Sequence, residues 1–370
     1  MKLTLNKKDI VDVLSKIQGL AGRKTNLAIT TNVLLRTSGT GIYIIATDLE
    51  TGFQGFYPAK VEKEGEIGIN ARKFFEIIRD YPEEKIKIEE SENRWIKIGN
   101  KKVEYNIVGM ATDDFPDLPL IENIDSFKMD ALEFNNMIEK TSIILGASDD
   151  KRSHITGTYF ETLKGENKIR MVSTDGSRLS LADYSFEENS VFKENKNFIL
   201  PKKGLLEISK FLDKEGIIEI GIKDNHFVLI KENETIIMRL LEGSFPEYKD
   251  IIDKEKSSLA KLDKENFLMM LKRMSILASE NYRGVVFNFN TDKIIINSTN
   301  PDIGESKEDM DIDYNGSKVA AAFNPRYFID TLNVINEENI IISLFNEEKP
   351  CFIEGEKNKN FLSVIMPMRI

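Results

Sequence analysis

The feature that most constrains what this chain can fold into is an internal repeat. Three stretches share one helical signature: "LNKKDIVDVLSKIQGL" (Leu5–Leu20), "MDALEFNNMIEKTSIILGAS" (Met129–Ser148) and "LDKENFLMMLKRMSILASE" (Leu262–Glu280). Each opens on an apolar residue and an Asn or Asp, then places apolar residues three and four apart. A second set, "INARKFFEIIRDYP" (Ile69–Pro82), "LPKKGLLEISKFLD" (Leu200–Asp213) and "FNPRYFIDTLNVIN" (Phe323–Asn336), repeats a small residue or proline, then basic residues, then an apolar stripe. The first set recurs after 124 and 133 residues, the second after 131 and 123. Two independent markers keeping the period of a small domain indicate three copies of one unit.

Alternating segments fill the rest of each copy. "IYIIATD", "KIRMVSTDG" and "KIIINSTN" precede the second helix, and "KIKIEE", "WIKIG" and "KVEYNIVGM" follow it in the first copy. Period-two patterning of this kind predicts antiparallel strands with one buried face. The expected fold class is therefore α+β: three repeated domains at 1–122, 123–252 and 253–370, each with two helices against antiparallel sheet. Copies one and two run from their last strand into Phe-Pro connectors, "DDFPDLP" and "GSFPEYKD". Copy three ends "SVIMPMRI", an apolar strand with a short overhang and no next domain to join.

Composition excludes several classes. The single cysteine, Cys351, rules out an intramolecular disulfide framework and a cysteine-rich zinc site, and fits a reducing cytoplasm. No apolar run approaches the ~20 residues a membrane span needs, and "MKLTLNKKDI" reads as a strand and helix start, not a leader. His154 and His226 are far apart and in no metal-ligand spacing. Neither GxxxxGK[ST] nor GxGxxG occurs. "TDLETG" and "TDGS" read as strand-to-turn chemistry, and no base is placed beside Ser177. The expectation is a protein with no catalytic residue, no metal and no cofactor.

Charge adds a positive indication. Residues 6–18, 71–79, 131–145, 201–212, 264–279 and 325–335 together carry a net +6, whereas the whole chain carries −10 and the remainder −16. Either lysine and arginine sit there as solvated helix faces, or the helices of several domains face a common polyanion with the acid turned outward. A repeat-built scaffold unrelated to DNA would share the domains but not the basic helices. A sequence-specific DNA binder would need a recognition-helix context that is missing.

The motifs "TDGSRL" (Thr174–Leu179), "NYRGV" (Asn281–Val285) and "MPMR" (Met366–Arg369), with "EGSFPEY" and the threefold repeat, resemble the bacterial DNA polymerase III beta subunits, the sliding clamps, from Met1 to Ile370. The resemblance implies three DNA-clamp domains per chain and a homodimer closed head to tail into a ring, helices lining the hole. Double-stranded DNA would pass through without sequence readout. The partners would be the replicative DNA polymerase, the clamp loader and other clamp-motif proteins such as repair factors, with no membrane involved. Such partners carry a short Gln- and Leu/Phe-containing motif that docks in a hydrophobic cleft between the second and third domains.

Carried over motif by motif, the resemblance places in that cleft Arg152 and Ile155, then Thr174, Gly176, Ser177, Arg178 and Leu179, then Pro246 and Ile251, and finally Val364, Met366, Pro367, Met368 and Arg369. Methionines suit a surface that accepts several partners. Ser177, His154 and Asp250 depart from the residues that well-known members carry. Arg23 and Lys24, with Arg72, Lys73, Lys202, Lys203, Lys272 and Arg273, are the expected DNA contacts. At the ring interface Tyr105 and Ile107 of the first domain would meet Ile276 and Leu277 of the third, with Lys101 and Lys102 pairing with Glu305 and Glu308.

Overall fold

The computed structural model describes residues 1–21, 28–113, 115–119, 124–144, 152–187, 194–212, 215–254, 257–278 and 284–369. Two compact units emerge, Met1–Asn135 with Lys203–Leu240, and Asn136–Lys202 with Leu241–Ile370. Among the described residues no helix is long and apolar enough to cross a membrane.

Helices form where the repeat places them: Lys7–Lys16, Ala71–Asp80, Ala131–Ser142, Lys202–Ser209, Lys264–Met274 and Pro325–Asn333. The Asn or Asp that opens the first helix of each repeat is a junction: strands Lys2–Asn6, Asp125–Asp130 and Ser258–Asp263 end on it. Asp130 accepts from the Leu132 and Glu133 amides (2.8 and 3.2 Å) and Asp263 from the Asn266 amide (2.8 Å), which satisfies donors the first turn leaves free. Asn70 and Asn324 cap the second helices of repeats one and three in the same way. In Ala71–Asp80 the buried residues are Ala71, Phe74, Ile77 and Ile78, one stripe at three- and four-residue spacing.

In the first unit a sheet runs in the order Glu104–Val108, Trp95–Gly99, Lys85–Glu90, Lys2–Asn6, Thr51–Lys63, Glu234–Arg239, His226–Lys231, Ile217–Lys223 and Asp125–Asp130. The strand Thr51–Lys63 joins two repeats. Its end pairs with Lys2–Leu5 of its own repeat and its start with Glu234–Met238 of the next. In the second unit the order is Asn197–Pro201, Gly157–Leu163, Lys168–Thr174, Arg178–Ser185, Phe361–Ile365, Cys351–Gly355, Asn339–Leu344, Ser258–Asp263 and Asp313–Tyr314. Again the strand after a Thr-Asp turn, Arg178–Ala182, pairs with the last strand of the following repeat, Phe361–Ile365. A four-stranded sheet, Gly304–Asp311, Lys293–Asn300, Val285–Asn290 and Val319–Phe323, completes this unit. Its inner residues Phe287 and Phe289 pack in one core with Phe267, Phe323 and Phe328.

One rule therefore operates twice within the chain. The last strand of every repeat also runs on to one further bridge: Gly68 with Met110, Ile199 with Leu241 and Ala322 with Met368. The apolar C-terminal tail is the third instance of that bridge, and the Met368 amide donates to the Ala322 carbonyl at 2.7 Å.

Candidate partner-binding cleft

The site starts from a turn. Strands Lys168–Thr174 and Arg178–Ser185 are joined by "DGS", and the turn is held by its own side chains. The Ser177 and Arg178 amides donate to Asp175 Oδ1 (3.0 and 3.1 Å), the Gly176 amide donates to Thr174 Oγ1 (3.1 Å), and that hydroxyl donates to the Arg178 carbonyl (2.8 Å). Gly176 has φ +89°, a conformation that disfavours any side chain. "TDLET" makes the same turn in the first repeat: the Glu50 and Thr51 amides donate to Asp48 Oδ1 and Thr47 Oγ1 donates to the Thr51 carbonyl. Both Thr-Asp sequences are structural turns, as their chemistry predicts.

The terminal strand lies alongside, with Leu179 opposite Val364 and Arg178 opposite Ile365. The Met366 amide continues the pairing by donating to the Ser177 carbonyl (2.9 Å). One face of this pair is an apolar cluster of Val172, Leu179, Leu181, Tyr248, Phe352, Leu362 and Val364, edged by Tyr159, Phe245, Ile252 and Phe345. The connector "SFPEYKDI" covers part of it: Phe245 stacks on Tyr159 (ring centres 4.9 Å apart) and Tyr248 donates to the buried Glu161. Burial, and then that carboxylate, hold the Tyr248 hydroxyl well above its ordinary range. On the segments that continue from this cluster, Pro246, Ile251, Met366 and Met368 are exposed, Pro367 is half-buried and Arg369 is exposed. A buried apolar cluster with exposed, adaptable methionines on the adjoining segment suits contact with an apolar peptide.

Arg178 is spent on holding the wall. It donates to Asp175 Oδ2 (3.0 Å), Asp330 Oδ2 (2.7 Å) and the Ile143 carbonyl (3.2 Å), and its guanidinium lies 4.2 Å from the centre of the Tyr327 ring. Sequence reasoning missed Tyr327, Asp330, Tyr248 and Phe245. Tyr248 and Phe245 stand in the quoted connector, but nothing in a linear pattern says that they face a strand from the chain's far end. Ile155 is buried, Thr174 is half-buried, and Ser177 and Arg152 are exposed.

The expected DNA contacts separate into groups. Arg23 and Lys24 lie outside the described residues. Arg72 and Lys73 are exposed and both pair with Glu76 (3.0 and 2.8 Å). Lys203 pairs with Asp48 (2.7 Å), and Lys272 is exposed. Lys202 requires a correction: its side chain is buried and its ammonium donates to the Ile155 carbonyl at 2.6 Å, so it presents nothing to a phosphate. Desolvation lowers its pKa to about 8. Arg273 is exposed but forks onto Glu308 of the same chain, so the two residues expected at different interfaces engage each other.

The expected interface residues lie on two sheet edges. Tyr105 is exposed and Ile107 half-buried on Glu104–Val108, which ends the sheet of the first unit; Lys101 and Lys102 are exposed just before it. Glu305 and Glu308 lie on Gly304–Asp311, which ends the four-stranded sheet, while Ile276 is exposed and Leu277 half-buried after the helix Lys264–Met274.

Comparison with known proteins covers almost the whole chain. Residues 1–119, 128–247 and 249–369 match the family models described as the N-terminal, central and C-terminal domains of the DNA polymerase III beta subunit. The "Beta sliding clamp" of Pseudomonas putida is 28% identical over all of this chain and all of its own, and that of Chlamydia pneumoniae 27% over all of this chain and 99% of its own. The fold is similar to the crystal structure of a DNA polymerase sliding clamp from Bacillus subtilis (TM-score 0.94, 25% identity, covering 100% of this chain and 99% of that one). It is similar also to a sliding clamp from Pseudomonas aeruginosa bound to griselimycin (TM-score 0.93, 25% identity, both chains fully covered).

Proposed function

The chain belongs to the DNA polymerase III beta subunit family, and on that premise we propose that it is a sliding clamp that encircles duplex DNA and tethers the replicative polymerase and other clamp-motif proteins by binding alone, with no chemical step of its own. The observation that carries the tethering role is the pairing of the terminal strand with Arg178–Ala182 over a buried apolar cluster, with Met366, Met368, Pro246 and Ile251 exposed on the segments that continue from it. A labelled peptide bearing Gln-Leu-x-Leu-Phe, followed by fluorescence anisotropy, tests it. Saturable binding to the intact chain, lost on deleting residues 368–370 while circular dichroism is unchanged, is the expected result. Absence of binding to the intact chain would remove the tethering role.

Two sheet edges support a head-to-tail homodimer closed as a ring. Within the chain, the strand after a Thr-Asp turn pairs with the last strand of the next repeat, Thr51 opposite Met238 and Arg178 opposite Ile365. Each of those partners stands three residues before its bridge residue, Leu241 or Met368; Ile107 stands three before Met110. The third strand of the kind, Gly304–Asp311, and the last strand of the first repeat, Glu104–Val108, each end a sheet. The same rule applied between two copies sets Gly304 opposite Ile107, Ile303 opposite Val108 and Lys307 opposite Glu104. That register brings together two exposed aliphatics and two opposite charges, and hides two open edges.

A closed ring needs only weak phosphate contacts, and Arg72, Lys73, Lys203 and Lys272 would supply them as mobile, salt-sensitive ones. Retention on nicked circular DNA, lost on linearising it, is the corresponding measurement. A buried, unpaired Cys351 suits the cytoplasm as the setting.

A further inference from the structure

Lys202 heads the helix Lys202–Ser209, yet only 5% of its surface is exposed. A buried cation at that end of a helix is costly: it loses hydration and meets the positive pole of the helix dipole. Its ammonium contacts the Ile155 carbonyl at 2.6 Å. That carbonyl belongs to the turn Ser153–Thr156, in which the Ile155 and Thr156 amides both donate to the Arg152 carbonyl. The charged groups bearing on Lys202 are Asp175, which attracts it, and Arg178, which repels it. Both belong to the turn that Met366 joins. One buried ammonium thus touches the Ile155 segment directly, and the pairing of Gly157 with Pro201 and of Tyr159 with Val172 sets Lys202 beside the strand that ends at Thr174.

We propose that Lys202 is a positioning residue of the partner cleft, its ammonium fixing the Ile155 segment against the Thr174–Arg178 turn so that an incoming apolar peptide meets a preformed wall. This rests on the reading of that cleft as the partner site. A residue that merely filled space would do so better without a charge, because an apolar side chain of equal length has no desolvation cost. The charge is useful only if it holds two polar segments in one arrangement, and preorganisation of that kind raises affinity by removing an ordering cost from binding.

The test uses the full-length protein, wild type and Lys202→Met, with a labelled Gln-Leu-x-Leu-Phe peptide lacking groups that titrate between pH 7 and 9.5. Lys202→Met, which takes the donor from the Ile155 carbonyl, weakens binding by about tenfold as the wall loses its fixed arrangement, while circular dichroism at the assay temperature stays that of the wild type. Wild-type affinity falls about threefold from pH 7 to 9.5 as the ammonium loses its proton, and the variant shows a flat profile. Equal binding by both proteins, with a flat wild-type profile, would overturn the proposal and leave the cleft in place. No binding by the wild type would overturn the cleft reading and this inference with it. Should Lys202→Met fail to fold, the wild-type profile decides: pH-independent affinity overturns the proposal.

Discussion

Ile303→Asp tests the inter-copy register most directly. Ile303 is 67% exposed in the single chain and Val108 62%. Full burial of an isoleucine side chain is worth ~1.5–3 kcal/mol, so covering the exposed two thirds of Ile303 contributes about 1–2 kcal/mol per interface. An aspartate there also leaves a carboxylate without a partner in an apolar patch, which costs about 1–3 kcal/mol more. A two-copy ring contains the contact twice, so assembly weakens on the order of 4 kcal/mol or more, roughly a thousandfold in the dissociation constant.

The readout is built in. Trp95 is the chain's one tryptophan, 46% exposed and directly opposite Val108 on the neighbouring strand. Its emission shifts to shorter wavelength as copies associate, and sedimentation equilibrium gives the constant independently. Ile217→Asp is the control, since Ile217 is 59% exposed on a strand with neighbours on both sides. An Ile303→Asp protein that assembles like the wild type, or an Ile217→Asp protein that is equally impaired, would refute the register.

Three further outcomes follow from the geometry. Arg178→Ala removes the links to Asp175, Asp330, the Ile143 carbonyl and the Tyr327 ring, and lowers stability by about 2 kcal/mol in a denaturant titration while weakening peptide binding. Gly176→Ala meets open space but imposes a side chain at φ +89°, costing about 1 kcal/mol by the same titration. Lys202 has its folded pKa lowered to about 8 from 10.5, so between those values the unfolded chain binds more protons and stability rises with pH. The Lys202 contribution to this rise is about 3 kcal/mol, and Lys202→Met removes that contribution from the pH dependence in thermal melts taken from pH 7.5 to 10.5.

The repeat period placed the six longer helices found among the described residues, because apolar spacing and Asx caps are local and survive in any context. It also placed strands such as Gly41–Thr47, Lys168–Thr174 and Lys293–Asn300, whose alternation is equally local, but not Thr51–Lys63, Arg178–Ser185 or Gly304–Asp311, the strands that follow the turns. The Thr-Asp turns could be read as turns from their side chains alone, since Thr47 and Asp48, like Thr174 and Asp175, bond to amides two or three residues away. The motif resemblance then pointed to the terminal strand and the "TDGSRL" hairpin as one site.

What a linear pattern does not encode is which strand of one repeat continues the sheet of another. That pairing is set by edges and register, and it brings Leu179 opposite Val364 across half the length of the chain. The lysines show the same limit. Lys202 and Lys203 are adjacent and identical in type, yet one is buried under Ile155 and the other pairs with Asp48. Sequence by itself determined the threefold plan, its helices and its turns, because those depend on neighbours within a few residues. Only the tertiary structure decided which charges face solvent, which are buried or paired, and which edges remain open, because each of these depends on what packs against a residue from far along the chain.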